Sequence, residues 1–96
     1  MDDPELMREI MAALLADTSQ QMCLLENAIR DKNSAQCKRL AHYSKGACAN
    51  VGAKRAASMF KQIEKKAEDG QFTECVESLA SLVREMDLLR SESATL

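Results

Sequence analysis

Residues 31–53 have the sequence DKNSAQCKRLAHYSKGACANVGA, and this stretch decides the fold. It begins with a polar turn, in which Asn33 or Ser34 can cap a following helix. Gly52 lies just past the last apolar position, where a left-handed residue commonly ends a helix. A helix is therefore predicted over residues 34–50. Its inward face would consist of Cys37, Leu40, Ala41, Ser44 and Cys48, with Val51 just beyond.

The segments on either side show the same helical periodicity. Asp3 and Pro4 predict the start of a long first helix over residues 4–31. Thr18 and Ser19 are weak helix formers within it, so a kink or a split there stays open. Two more helices are predicted over residues 53–69 and 72–91, followed by a polar, frayed tail. The predicted inward positions of these three helices are Met7, Ile10, Met11, Leu14, Thr18, Met22, Leu25, Ile29, Ala56, Met59, Phe60, Ile63, Ala67, Phe72, Cys75, Val76, Leu79, Leu82, Val83, Met86 and Leu89.

These four segments predict an all-α fold. Short turns make neighbouring helices antiparallel, which gives an up-and-down four-helix bundle with a long first helix. A chain of 96 residues suits a single domain over residues 1–96, with residues 92–96 as the polar tail. Only 3% of the residues are aromatic, which makes a β-sandwich unfavourable and leaves no stacking platform for nucleic acid.

Charge and cysteine content exclude several function classes. The net charge of −2 is too small to indicate nucleic-acid binding, and no apolar run approaches the ~18 residues of a membrane span. Charged residues at the N-terminus argue against a signal peptide, so a cytoplasmic protein is expected. The four cysteines contain no C-x-x-C pair and the chain has one histidine, so no metal site is expected. Reduced cysteines in the core are favoured over disulfides.

His42 is the exception to the apolar pattern of the second helix. At about 100° per residue it falls opposite the inward face, so its imidazole should reach solvent. Lys38, Arg39 and Lys45 lie on the same outward sector, one turn before or after it. These cations favour the neutral, nucleophilic ring and would stabilise an anion placed on it.

Small residues follow His42 on this sector. Gly46 lies in mid-helix, where glycine costs about 1 kcal/mol relative to alanine. Clearance for a partner's active site would explain it, and Ala49 would keep that approach flat. Three alternatives stay open: His42 is a solvated histidine without a role, the Lys and Arg side chains only make the face soluble, or Gly46 only allows a neighbouring helix to pack closely. An exposed histidine flanked by cations and small residues suits a phosphoryl carrier.

Residues 41–53, AHYSKGACANVGA, resemble the signature of histidine phosphotransfer domains. The resemblance lies in His42, Lys45-Gly46, the small residues Ala47 and Ala49, and Gly52-Ala53. It implies a four-helix bundle whose histidine is phosphorylated on Nε2 by the aspartyl phosphate of a receiver domain. The phosphoryl group would then pass to another receiver, in a response regulator or a hybrid sensor kinase.

The resemblance also implies roles for the neighbours of His42. Lys45 would stabilise the phosphoryl oxygens, with Lys38 or Arg39 nearby, and Gly46 would leave room for the receiver. No cofactor, no metal and no ATP-binding site of its own are expected, which agrees with the absence of a G-x-x-x-x-G-K-[ST] motif. The chain would be a phosphocarrier, not an enzyme.

Two positions depart from the family pattern. Tyr43 and Ser44 replace the common Thr or Ala followed by Leu. The Ser44 hydroxyl would face inward and donate to the Leu40 carbonyl, and Tyr43 would affect which receiver fits. The second ring nitrogen of His42 is expected to be solvated or bonded to a polar side chain of the first helix.

The docking surface is predicted on the outward sectors of the first two helices, with Leu15 and Ala12 adding an apolar contact near the histidine. A monomer is expected.

The alternatives to a phosphocarrier are an interaction bundle that binds receivers without carrying phosphate and a phosphatase that dephosphorylates them. A dimerising helix of a sensor kinase would need a following ATP-binding domain. Donor, acceptor and signalling output stay open, as does the choice between a free-standing protein, which Met1 favours, and a domain of a larger kinase.

Overall fold

The computed structural model describes residues 3–93, which form four α-helices and no strand. The helices are α1 (Pro4–Arg30), α2 (Ser34–Asn50), α3 (Lys54–Glu68) and α4 (Phe72–Ser93). Each packs against the next along the chain, and α4 closes the bundle against α1. The predicted up-and-down four-helix bundle with a long first helix is confirmed.

Side-chain caps start the first two helices. The Asp3 carboxylate accepts hydrogen bonds from the backbone N–H groups of Glu5 and Leu6, which a helix cannot satisfy internally. Asn33, and not Ser34, caps α2 by accepting from the backbone of Gln36. The Ser34 hydroxyl instead donates to the carbonyl of Ala67 at 2.7 Å and ties the start of α2 to the end of α3.

Two glycines end their helices in the predicted manner. Gly52 has a φ of +81° and Gly70 a φ of +74°, the left-handed region that residues with a Cβ rarely enter. These turns reverse the chain between α2, α3 and α4. The bundle order depends on them.

The first and last helices differ from two expectations. α1 is continuous through Thr18 and Ser19, so the split that these weak formers left open does not occur. Thr18 is buried against the other helices, and its packing outweighs its modest helix propensity. α4 extends to Ser93, so residues 92–93 of the expected frayed tail are helical. The rest of that tail, residues 94–96, and Met1 lie outside the described residues.

The core is made of small and medium apolar side chains around one aromatic ring. Phe60 is completely buried, and Leu25, Ile63 and Leu82 belong to the same core. All four cysteines are free, and three of them (Cys37, Cys48 and Cys75) are buried, while Cys23 is exposed. Burial raises the pKa of the Cys37 thiol to about 11, with a further contribution from nearby Cys75. The buried thiols therefore act as small hydrophobes, as predicted.

Five apolar positions are placed differently from the prediction. Met7 and Ile10 are exposed, because α1 has 27 residues and α2 only 17, so the start of α1 extends past its neighbour. Val76 and Val83 are also exposed. The predicted inward set of α4 is wider than the face a four-helix bundle can cover. Leu15 belongs to the core, so its expected place on a docking surface is wrong.

Ser44 faces the core as predicted, but its hydroxyl does not bond to Leu40. It is 1% exposed, and its Oγ has no hydrogen-bond partner among the described residues. An unpaired buried hydroxyl loses its hydration without compensation, which costs about 1–3 kcal/mol.

We expect Ser44→Ala to raise the free energy of unfolding by about 1 kcal/mol, because it removes this hydroxyl and improves helix propensity. Urea denaturation followed by circular dichroism measures it. Ser58→Ala, at an exposed position of α3, is the control, with a gain of about 0.5 kcal/mol from propensity alone. A loss of stability in the Ser44 variant would show that the hydroxyl is satisfied in solution.

Candidate functional site

His42 lies in the middle of α2, on the side away from the core. Its side chain is 68% exposed, whereas its neighbours Ala41 and Ser44 are buried. The backbone that carries the imidazole is therefore held by packing, and the ring itself is open to solvent. Such a ring can meet the active site of another protein without unfolding of its own helix.

A carboxylate from α3 faces this ring. The Oε2 atom of Glu64 lies 3.3 Å from Nδ1 of His42, and its Oε1 atom lies 3.5 Å from Nζ of Lys45. Glu64 thus joins the histidine and the lysine that follows it by one turn. The second ring nitrogen was expected to be solvated or bonded to a polar side chain of the first helix. The structure corrects this to Glu64 of the third helix.

Glu64 was missed because its position depends on how α3 is rotated about its own axis. In the sequence it only follows the buried Ile63, as many half-exposed glutamates follow an apolar residue. It follows His42 by 22 positions with a complete turn in between, so no local spacing relates the two residues. The sequence carries one weak signal for Glu64: it lies at the edge of the apolar stripe of α3, and a residue there faces the neighbouring helix.

The predicted cations surround His42, but in different ways. Lys45 is 30% exposed and held at Glu64. Lys38 and Arg39 line a shallow depression together with His42. The Arg39 guanidinium donates to the side-chain oxygen of Gln36 on its own helix. The site therefore has three cations and one carboxylate, and it is less positive than the sequence of α2 alone indicates.

The small residues of the sector have free space around them. A Cβ built on Gly46 would meet no heavy atom within 4 Å, and Ala49 is exposed. Close packing against a neighbouring helix therefore does not explain this glycine. Gly46 leaves a flat, open surface one turn beyond the imidazole.

Tyr43 forms the other border of the depression. This residue is 52% exposed, and its hydroxyl donates to Oδ2 of Asp17 on α1 at 2.9 Å. This bond, together with the charge of the carboxylate, raises the pKa of the Tyr43 phenol. Ala12 of α1 is exposed, as expected for the predicted docking surface. The depression is lined by Ala35, Lys38, Arg39, His42, Tyr43 and Glu64.

Comparison with known proteins identifies the family of this fold. The family model of the Hpt domain matches residues 9–92, and the chain therefore belongs to this family. It is a histidine phosphotransfer protein of a phosphorelay.

One solved structure is closely similar in fold. It is histidine-containing phosphotransfer protein B (HptB) from Pseudomonas aeruginosa PAO1, with a TM-score of 0.86 and 20% sequence identity over 92% of this chain and 76% of that chain. At this identity the match shows the shared fold. No curated protein matches the chain significantly in sequence.

None of the helices within residues 3–93 has the length and the apolar composition needed to cross a membrane. Over the same residues, no three His, Cys, Asp or Glu side chains are grouped as a metal site would require.

The bond between Tyr43 and Asp17 can be tested by titration. Asp17→Asn removes the negative charge that favours the protonated phenol, so we expect the pKa of Tyr43 to fall toward its ordinary value. Ultraviolet absorbance measures this directly, because the chain has one tyrosine and no tryptophan. Asp31→Asn, in the turn after α1, is the control and should leave the titration unchanged. An unaltered curve in the Asp17 variant would mean that the bond is absent in solution.

Proposed function

We propose that His42 is the residue that accepts the phosphoryl group and relays it between receiver domains. The observation that carries the proposal is the geometry of the ring: it is exposed, and its Nδ1 atom faces a carboxylate while Nε2 is left for a partner. No other histidine occurs in the chain. The receivers would belong to response regulators or hybrid sensor kinases.

The transfer step follows from this arrangement. With the proton held on Nδ1, the lone pair of Nε2 attacks the phosphorus of the receiver's aspartyl phosphate. The P–N bond forms, the P–O bond breaks, and the receiver's aspartate leaves as a carboxylate. The ring gains positive charge in this step, and the Glu64 carboxylate at 3.3 Å stabilises it. Glu64 is thus a positioning residue, since it acts on the ring and not on the phosphoryl group.

Lys45 can stabilise the phosphoryl group that is being transferred. Its ammonium group lies one turn from the ring and is bound only at 3.5 Å to Glu64, so it can turn toward phosphoryl oxygens on Nε2. Lys38 and Arg39 would add positive potential at the border of the depression. Gly46 and Ala49 would leave the surface flat enough for the receiver's active site to reach the ring.

Catalysis of transfer would reside mainly in the receiver, which holds the aspartyl phosphate and its divalent metal. The bundle would supply a pre-positioned nucleophile and a docking surface. We infer a single-domain cytoplasmic phosphocarrier that needs no cofactor and no ATP site of its own.

The first test is phosphotransfer from a phosphorylated receiver. The wild-type chain should gain phosphate that is labile to acid and stable to alkali, and His42→Gln should gain none while its circular dichroism stays helical. Label on the His42→Gln variant would refute the proposal. Loss of phosphate from the receiver without label on the wild type would instead favour the phosphatase alternative.

The second test concerns Glu64. Bonds to charged groups contribute about 1.5–3 kcal/mol, so we expect Glu64→Ala to slow transfer by at least about tenfold. Glu68→Ala, one turn further along α3, is the matched control and should transfer at the wild-type rate. NMR of the His42 ring nitrogens should show the Nδ1–H tautomer in the wild type and a mixture in the Glu64 variant. An unchanged tautomer and rate would remove Glu64 from the mechanism.

A further inference from the structure

α4 carries two apolar rows instead of one. Cys75, Leu82 and Met86 face the core and are buried. Val76, Leu79 and Val83 form a second row at steps of three and four, and the two valines are 56% and 47% exposed. One row suffices to hold a helix in its own bundle. Leu79 packs against the core, whereas the two valines leave most of the second row exposed.

This second row borders a groove between α4 and α1. Ile29 and Phe72 close one part of the groove, and an adjoining part continues past Leu79 and Val83 toward Met22. The groove lies on the α1–α4 side of the bundle, whereas His42 and Glu64 lie on the α2–α3 side. In the cyclic order of the helices these sides are opposite. A partner in the groove would therefore leave the imidazole free.

The charges beside the row indicate which partner fits. Glu77 and Arg84 are exposed, each follows one of the two valines by one residue, and they are one heptad apart. When two such helices pack antiparallel about a two-fold axis, the same flank of each helix meets. Glu77 of each copy then lies opposite Arg84 of the other. In a parallel pair opposite flanks of the two helices meet, so Glu77 and Arg84 would not face each other.

We propose that a second copy of this chain occupies the groove, with the α4 helices antiparallel. Val76, Ala80 and Val83 of the two copies would form the apolar seam, and two Glu77–Arg84 pairs would border it. A seam of this size belongs to the small, transient class of interfaces, so association should depend on concentration. The sequence pattern placed both valines inside the bundle, whereas the structure exposes them.

Sedimentation velocity of the full chain measures the association. At high protein concentration the wild type should approach twice the 10.6 kDa mass of one chain. Val83→Lys should weaken association by at least about tenfold, because it places a charge in the apolar seam. Leu24→Lys, a matched change at an exposed apolar residue outside the groove, should associate like the wild type.

Charge reversal tests the antiparallel pairing itself. Glu77→Arg alone and Arg84→Glu alone should each dimerise about tenfold more weakly, because each creates two like-charge contacts. An equimolar mixture of these two variants should recover wild-type association as a heterodimer, since both contacts become attractive. Recovery in the mixture cannot arise from contacts within one chain.

Three outcomes would overturn the proposal: a 10.6 kDa species at all concentrations, association unaffected by Val83→Lys, or a mixture no stronger than its components. Measuring phosphotransfer to His42 distinguishes a failure of the dimer proposal from a failure of the proposed phosphocarrier function. Val83→Lys should be phosphorylated at the wild-type rate, because the seam lies on the opposite side of the bundle.

Discussion

The burial of one face of α2 between α1 and α3 is the interaction on which the rest of the structure depends. Cys37, Ala41 and Cys48 are completely buried on this face, and their small side chains let α3 pack closely. Since a helix has one orientation once its face is buried, this packing also determines what points outward. His42, Gly46 and Ala49 reach solvent because their neighbours in the sequence are in the core.

The same packing brings together groups from two helices. α3 lies beside α2 along its length, so a residue at the edge of its apolar face reaches the ring of His42. Glu64 occupies that place and contacts both His42 and Lys45. Tyr43 makes a similar contact to α1 through Asp17. The candidate site is therefore a property of three helices, although a single helix carries its nucleophile.

The two ends of the chain show where periodicity overstates burial. The start of α1 keeps a helical apolar pattern past the end of α2, and Met7 and Ile10 are exposed there. α4 keeps an apolar pattern wider than the face that α1 and α3 cover, and Val76 and Val83 are exposed. Apolar spacing indicates which residues share a face. It does not indicate how many faces the neighbouring helices can cover.

The sequence by itself determined the helical segments, the cap at Asp3, the glycine stops, the order of the bundle and the outward position of His42. These features depend on local spacing and on single residues such as Asp3, Gly52 and Gly70, whose effects act within one or two turns. Only the tertiary structure decided that Glu64 faces the imidazole, that the Ser44 hydroxyl is unpaired and that Val76 and Val83 are uncovered. Each of these depends on the rotation of one helix against another, which the sum of many packing contacts determines and no local motif records.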